Sequence, residues 1–420
     1  MSEITAGSRV APRSEFQQGW PVVLACFCTA TFAWGFGFYG QSVYFAGLHT
    51  MRGWPVSLIA SATTVYYLVG GLLLLPIHRV FARLGPRWLL AGGAATLGVG
   101  AIGLTHAGLS WQLYVWAVVM AAGWAATTTT ALATTLALWF DQRRGLALSL
   151  ALLGASAGGF TITPLLAALA EHLGLGRAVA LSVMVALAVL LPVIFAGIPR
   201  RALPLRPLPA GEWAPSTSGR PAFAGQRDAL RSVQVWSIAT PFALALAAQV
   251  GFIVHQVSYL MPQLGAAGAA RAVAATAVAA AAGRLAIAPL IDRINQRLAA
   301  AASFLVQAAG LALMLALPDQ PVALYAGSIV FGLSVGNVVT LPALIVQHEF
   351  AAQSFGLVIG LVSMVGYTAL AFGPTLLGLA RDVAESYSVA IVLCIVLQLA
   401  GALLLLMRKP RMPRLFAPRG

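Results

Sequence analysis

Apolar runs of about 20 residues or more recur along the whole chain, each long enough to cross the hydrocarbon core of a bilayer as a helix. Twelve spans are expected: 19–46, 55–78, 88–106, 111–139, 144–170, 176–198, 232–262, 268–291, 298–317, 321–347, 353–380 and 386–407. No water-soluble fold of 420 residues hides a sequence that is 60% hydrophobic and 9% charged. The expected fold class is therefore an all-α membrane protein. Gly and Pro are frequent inside the spans, as membrane helices tolerate. The short polar N-terminus and the long first apolar run do not read as a cleaved leader. Cys26, Cys28 and Cys394 all fall in apolar runs and read as small packing residues rather than disulfides or metal ligands.

The basic residues orient the spans. With both termini placed in the cytoplasm, 20 of the 25 Lys and Arg fall on that side. Arg52, Arg177, Arg271 and Arg381 fall outside, and Arg284 falls within a span. That asymmetry predicts a multi-pass protein of the inner (cytoplasmic) membrane. It also accounts for the net charge of +14, which meets anionic inner-leaflet lipids. No nucleic-acid partner is expected, because the arginines are scattered over short loops and form no single face.

The longest polar stretch, 199–230, holds six prolines and five arginines and reads as a flexible cytoplasmic linker. It divides the chain into a first half, 1–198, a linker, 199–231, and a second half, 232–420. The halves echo each other. FARLGPR at 81–87 returns as LIDRINQR at 290–297, and RRGLALSL at 143–150 returns more faintly as SFGLVIGL at 354–361. Pro164 and Pro374 sit at nearly the same offset. Two pseudo-symmetric six-helix halves around a central cavity suit alternating access by rocking.

Within VAAAAGRLAIAPLIDR, residues 278–293, Arg284 stands in a run of Ala, Val, Leu and Ile. It lies roughly 12 Å inside the level of Asp292 at the helical rise per residue, although its side chain can snorkel part of that way. An uncompensated charge at mid-membrane costs about 2.5–3.5 kcal/mol on insertion scales. All eleven acids lie in loops or at span ends, so no resident carboxylate neutralises Arg284. Either a substrate anion supplies the missing charge, or backbone carbonyls and a water-filled vestibule do.

The loop HRVFARLGPR (78–87), its second copy APLIDRINQR (288–297) and the junction WFDQRRGLALSLALLGASAGG (139–159) resemble the major facilitator superfamily. The junction, with FAGLHTMRGWP (45–55), VHQVSYLMPQLG (254–265) and FGLVIGLVSMVGYTALAFGPTLLGLARD (355–382), is similar to the branch of monocarboxylate porters and oxalate–formate antiporters. The resemblance spans nearly the whole chain and implies the twelve-helix fold, proton symport or anion exchange, and a helix 8 arginine, here Arg284, that binds the substrate carboxylate. Departures accompany it. The loop's Gly and Asp positions are His78 and Ala82 in the first half and Ala288 and Asn295 replace glycines in the second, where Asp292 and Arg293 are kept. A cytoplasmic gate is expected from Arg83, Arg87, Arg143, Arg144, Asp292 and Arg293, with Asp292 pairing Arg143 or Arg144. The Gly-Pro-rich helix 5 signature of drug–proton antiporters is absent; GASAGGFTITP (154–164) stands there, with Gly154 and Gly158 spaced for close packing.

The resemblance also implies which spans line the cavity. Their polar and aromatic residues nominate Tyr39, Gln41, Tyr66, Thr127, Gln249, Asn337 and Tyr367 beside Arg284 as substrate-binding candidates. Among Thr127–Thr130 at most two face one side, and a single Thr or Tyr often bonds its own backbone. Gln249 and Asn337 stand out because an unpaired amide in hydrocarbon is costly. His255, the one histidine well inside a span, is the candidate for proton coupling or else a histidine near the outer mouth. No metal-ligand spacing, phosphate loop or nucleophile–base pair appears, so neither an enzyme nor a metal or other cofactor is expected. The expected function is secondary transport of a small, monocarboxylate-like anion by a monomer, with export of drugs or other amphipathic molecules as the rival reading. That rival usually wants a membrane-embedded acid, which this chain lacks.

Overall fold

The computed structural model describes residues 15–136, 138–140, 144–199, 223, 226–287, 294–351 and 354–407. Every regular element among them is a helix, the form in which a chain in hydrocarbon satisfies its own backbone. Eleven segments are long and apolar enough to cross a membrane. One of these, Val233–Ile287, has 55 residues, about 80 Å of helix against a hydrocarbon core of about 30 Å. It turns at Gly265, with φ 68° and ψ 171°, and so supplies two crossings. Val56–His106 turns in the same way at Gly85, φ 75°. Positive φ of this kind is open to glycine and strained for other residues.

The described residues thus hold the twelve expected crossings. We label them α1 (Gly19–Arg52), α2 (56–84), α3 (86–106), α4 (Ser110–Leu136), α5 (Leu146–Leu173), α6 (Leu175–Gly197), α7 (233–264), α8 (266–287), α9 (Gln296–Ala316), α10 (Pro321–Glu349), α11 (Leu357–Ala384) and α12 (Tyr387–Met407). The end of the bundle bearing Arg83, Arg87 and Arg297 is its basic end. There α2 runs on beyond its apolar span, and the expected 79–87 loop contracts to the turn at Gly85. Arg side chains can extend toward water from such a helix end.

The linker stretch mostly lies outside the described residues, but its last part is folded. Gln226–Arg231 is a short helix. Phe223 stacks near Phe350, with ring centroids 5.9 Å apart, and its N–H donates to Ser354 Oγ at 2.9 Å.

Small residues let helix backbones meet. A Cβ on Gly154 or Gly158 of α5 would strike the Phe27 and Thr31 carbonyls of α1, as their spacing suggested. Gly373 of α11 seats on the Ala247 carbonyl of α7 in the same way. Polar side chains inside the second half are tied to one another. Gln307 of α9 donates to Gln249 of α7 at 2.6 Å, and Gln398 of α12 donates to Gln307 at 2.5 Å. Gln256 of α7 donates to Thr276 of α8 at 2.9 Å and Ser328 of α10 at 3.3 Å.

At the basic end Arg297, only 5% exposed, pairs with Glu349 through Nε at 2.5 Å and Nη2 at 2.9 Å. Its Nη2 also donates to Ser237 Oγ at 2.9 Å. The pair ties α9, α10 and α7 together. Removing one partner of a buried pair leaves the other charge uncompensated, at about 3–5 kcal/mol. Glu349→Ala should fall near the lower bound, about 3 kcal/mol, because the carboxylate side keeps 22% exposure. Thermal unfolding of the purified protein in detergent measures it; an unchanged midpoint would show the pair to be energetically idle.

Candidate functional site

The site begins with a defect in α1. Residues Gly35–Tyr39 form a π-helical turn, closed by the Gly40 N–H on the Gly35 carbonyl. Such turns insert an extra residue and cluster at functional positions. Tyr66 of α2 supports the turn by donating its hydroxyl to the Gly37 carbonyl at 2.9 Å. Tyr39 ends the turn and is 4% exposed. Its ring lies against Gly159 of α5, where an added Cβ would be 2.7 Å from Cδ2; the same Cβ would be 2.6 Å from Ala277 of α8. Here the first six helices meet the last six.

Arg284 stands seven residues beyond Ala277, two turns along the same face of α8. Its guanidinium is therefore on the seam between the halves, within electrostatic reach of the Tyr39 hydroxyl. It lies over Gly336 of α10, where an added Cβ would be 2.8 Å from Nε and 3.0 Å from Nη2. Nε is buried without a hydrogen-bond partner. The ion pairs among the described residues are Arg297–Glu349 and Arg381–Asp382, so none of their carboxylates pairs with Arg284. Next to Gly336, Asn337 is 95% buried (5% exposed). Its Oδ1 has no partner, and its Nδ2 makes only a long 3.4 Å bond to the Leu333 carbonyl. The contact of α8 with α10 thus offers a cationic donor and an amide whose bonding capacity the protein leaves open.

The other nominated residues disperse. Gln41 and Tyr66 line a narrow enclosed cavity inside the first half with Tyr44 and Met120; the Gln41 amide reaches only Met120 Sδ, at 3.7 Å. Thr127 donates to the Gly123 carbonyl of its own helix at 2.9 Å, just before α4 breaks at Thr128. Gln249 is 1% exposed, and its amide oxygen accepts from Gln307, 58 residues away. Tyr367, half-exposed, approaches Gly71 across the α2–α11 seam.

Of the expected gate residues, Arg143, Asp292 and Arg293 lie outside the described residues. Arg144 opens a helix, Arg144–Leu173. Arg83 is exposed, and Arg87 rests on the Phe195 ring, 4.4 Å from its centroid, within the first half.

The end opposite the basic one is closed between the halves. The Ser57 N–H, at the start of α2, donates to Asp382 Oδ2 of α11 at 2.9 Å, and Arg381 lies 3.3 Å from the other carboxylate oxygen. A turn or two deeper, Thr64 Oγ1 is 2.6 Å from the Ala371 carbonyl and 2.6 Å from Thr375 Oγ1. His255 of α7 belongs to this closure. Its ring meets Phe45 of α1 with centroids 4.4 Å apart, Nε2 bonds the Pro374 carbonyl at 2.9 Å, and Nδ1 is 3.2 Å from the Tyr387 hydroxyl. Sequence reasoning placed Asp382 in a loop and did not single out Glu349 or Gly336. A carboxylate within a few residues of an α-helix start is a local signal, but this one caps a helix 325 residues away.

Two comparisons bear on the whole chain. Residues 24–374, and again 257–420, match the family model described as Major Facilitator Superfamily. The crystal structure of the nucleoside transporter NupG (D323A mutant) superposes with a TM-score of 0.74 at 11% identity, covering 92% of this chain and 99% of that one. No curated protein matches.

The carboxylate of Asp382 sits where the partial positive charge of the α2 N-terminus favours an anion. Asp382→Asn keeps the shape and removes that charge, a loss of about 1 kcal/mol, or about fivefold in an open–closed equilibrium. A cysteine at Ala60, buried against Gly378 in the same seam, reports on it. In a background without Cys26, Cys28 and Cys394, its reaction with a membrane-impermeant maleimide should speed up several-fold in Asp382→Asn. An unchanged rate would show that the carboxylate does not hold this end shut.

Proposed function

The chain belongs to the major facilitator superfamily, and from that premise we propose that it is a secondary active transporter of a small organic anion of the monocarboxylate kind. The observation that carries the reading is Arg284: a guanidinium on the seam between the halves, its Nε unpartnered, with no described carboxylate paired to it. A planar guanidinium suits a carboxylate in a two-pronged geometry. Tyr39 and Asn337 are the neighbours proposed to complete the site, the first as a hydroxyl beside the bound anion, the second through its open amide.

Electrostatics then shapes the cycle. The empty carrier holds a lone positive charge on its seam, costing about 2.5–3.5 kcal/mol by insertion scales. The loaded carrier holds a neutral pair. Closing around the neutral pair is easier than closing around the lone charge, which favours exchange of one anion for another. Proton symport is the other arm of the proposal, with His255 as the protonated group. Its position in the closure between α1 and α7 links any proton there to opening and shutting rather than to contact with the solute. We place the basic end, and both termini, in the cytoplasm of a cell with the protein in its inner membrane, working as a monomer.

The rival reading is transport or export of an uncharged, ring-bearing or amphipathic solute. It draws on Trp34, Phe38, Tyr67 and Trp124, the aromatic side chains around the α1 turn that ends at Tyr39, and on the nucleoside transporter among the structural neighbours.

Uptake of labelled lactate, oxalate and uridine into proteoliposomes separates the two. Arg284→Ala should weaken half-saturation for the carboxylate about 10–100-fold, as loss of hydrogen bonds to a charged group implies, and Arg284→Lys should weaken it less. Counter-loading with unlabelled anion should accelerate uptake if exchange is the mode. Carboxylate transport with unaltered affinity in both variants would end the anion reading, and uridine transport indifferent to Arg284 would install the rival.

A further inference from the structure

Helices α8 and α10 approach each other through three glycines. Gly283 of α8 lies on the Leu333 carbonyl; Gly332 of α10 lies on the Thr276 carbonyl, where an added Cβ would be 2.5 Å away. One turn further along α10 comes Gly336, and here the neighbour changes. A Cβ there would meet the Ala280 carbonyl at 3.0 Å, but also Arg284 Nε at 2.8 Å and Nη2 at 3.0 Å. The first two glycines make room for backbone. The third makes room for a guanidinium.

From this we infer that Gly336 is a positioning residue for the anion site, its missing side chain being the slot that holds the Arg284 guanidinium side-on to the seam; the functional half of this inference rests on the reading of Arg284 given above. A long flexible stem such as that of Arg284 extends toward water unless something retains it. The slot retains it: Nε and Nη2 lie over Gly336, where an added Cβ would be 2.8 and 3.0 Å from them, and Nε is buried. Any side chain at 336 fills the groove and turns the guanidinium away from the geometry in which two of its N–H groups face one carboxylate. The alanines before Arg284, at 279–282, serve the same end by keeping α8 slim against α10.

The test is a double-mutant cycle with two readouts, the unfolding midpoint in detergent and half-saturation for lactate uptake. Gly336→Ala should raise half-saturating lactate about tenfold with the maximal rate within about twofold, the pattern of lost binding geometry. Gly332→Ala, in the same helix pair but away from the guanidinium, should lower the midpoint and leave half-saturation unchanged. In the Arg284→Ala background, Gly336→Ala should cost less in the midpoint and nothing further in affinity. If Gly336→Ala alone does not accumulate, Arg284→Ala should rescue it. An equal midpoint loss in both backgrounds, or no rescue, would assign the clash to the Ala280 carbonyl and overturn the inference. The two readings fail separately: wild-type lactate affinity in Arg284→Ala sinks the anion site while leaving the midpoint coupling intact, whereas impaired affinity without midpoint coupling sinks the slot alone.

Discussion

In hydrocarbon a polar group has no solvent to bond, so it finds a partner within the protein or remains costly. This constraint organises the whole molecule. It puts the backbone into helices and ties the buried amides together: Gln249 to Gln307 to Gln398, and Gln256 to Thr276 and Ser328. It closes Arg297 onto Glu349 and Ser237. Against that pattern the exceptions carry meaning. Among the described residues ten buried side-chain atoms lack a partner; two of them, Arg284 Nε and Asn337 Oδ1, lie at and next to the Gly336 contact between α8 and α10. A cationic donor and an amide oxygen left open at one helix contact are the groups that the proposed anion site uses.

How much of this the sequence revealed depends on the range of the interaction. The twelve crossings were legible because span length is a local property, and the solitary Arg284 was legible because a charge in an apolar run needs no structure to be noticed. That α5 packs closely against a neighbour was legible through the spacing of Gly154 and Gly158; that the neighbour is α1 was not. What could not be read was pairing at a distance. Gln249 looked unpaired only because Gln307 lies 58 residues on. Asp382 looked like a loop acid because the helix start it caps is 325 residues earlier. Gly336 was one of 42 glycines, and nothing in its neighbours tells that it faces a guanidinium rather than a carbonyl. The π-turn under Tyr39 likewise leaves no trace in GFGFY that distinguishes it from ordinary glycine-rich helix.

The seam between α2 and α11 shows how the same residues allow one end to open. Along α2 the contact positions are spaced by seven, so they stack on one face. Ser57 donates to a carboxylate at 2.9 Å, and Thr64 makes two 2.6 Å contacts. At Gly71 the third position is bare, and an added Cβ would only just touch Tyr367, at 3.9 Å. Attachment thus declines from the opposite end toward the basic end, and Tyr367, where it fades, is half-exposed. A seam graded in this way opens first where it is weakest. In the proposed cycle the anion reaches Arg284 from this weaker end while the charge-capped end stays shut. An anion that neutralises the guanidinium removes the main electrostatic obstacle to drawing that weak end closed. The strong end must then yield, and the groups that hold it are few and neutral apart from the Asp382 cap and its Arg381 neighbour.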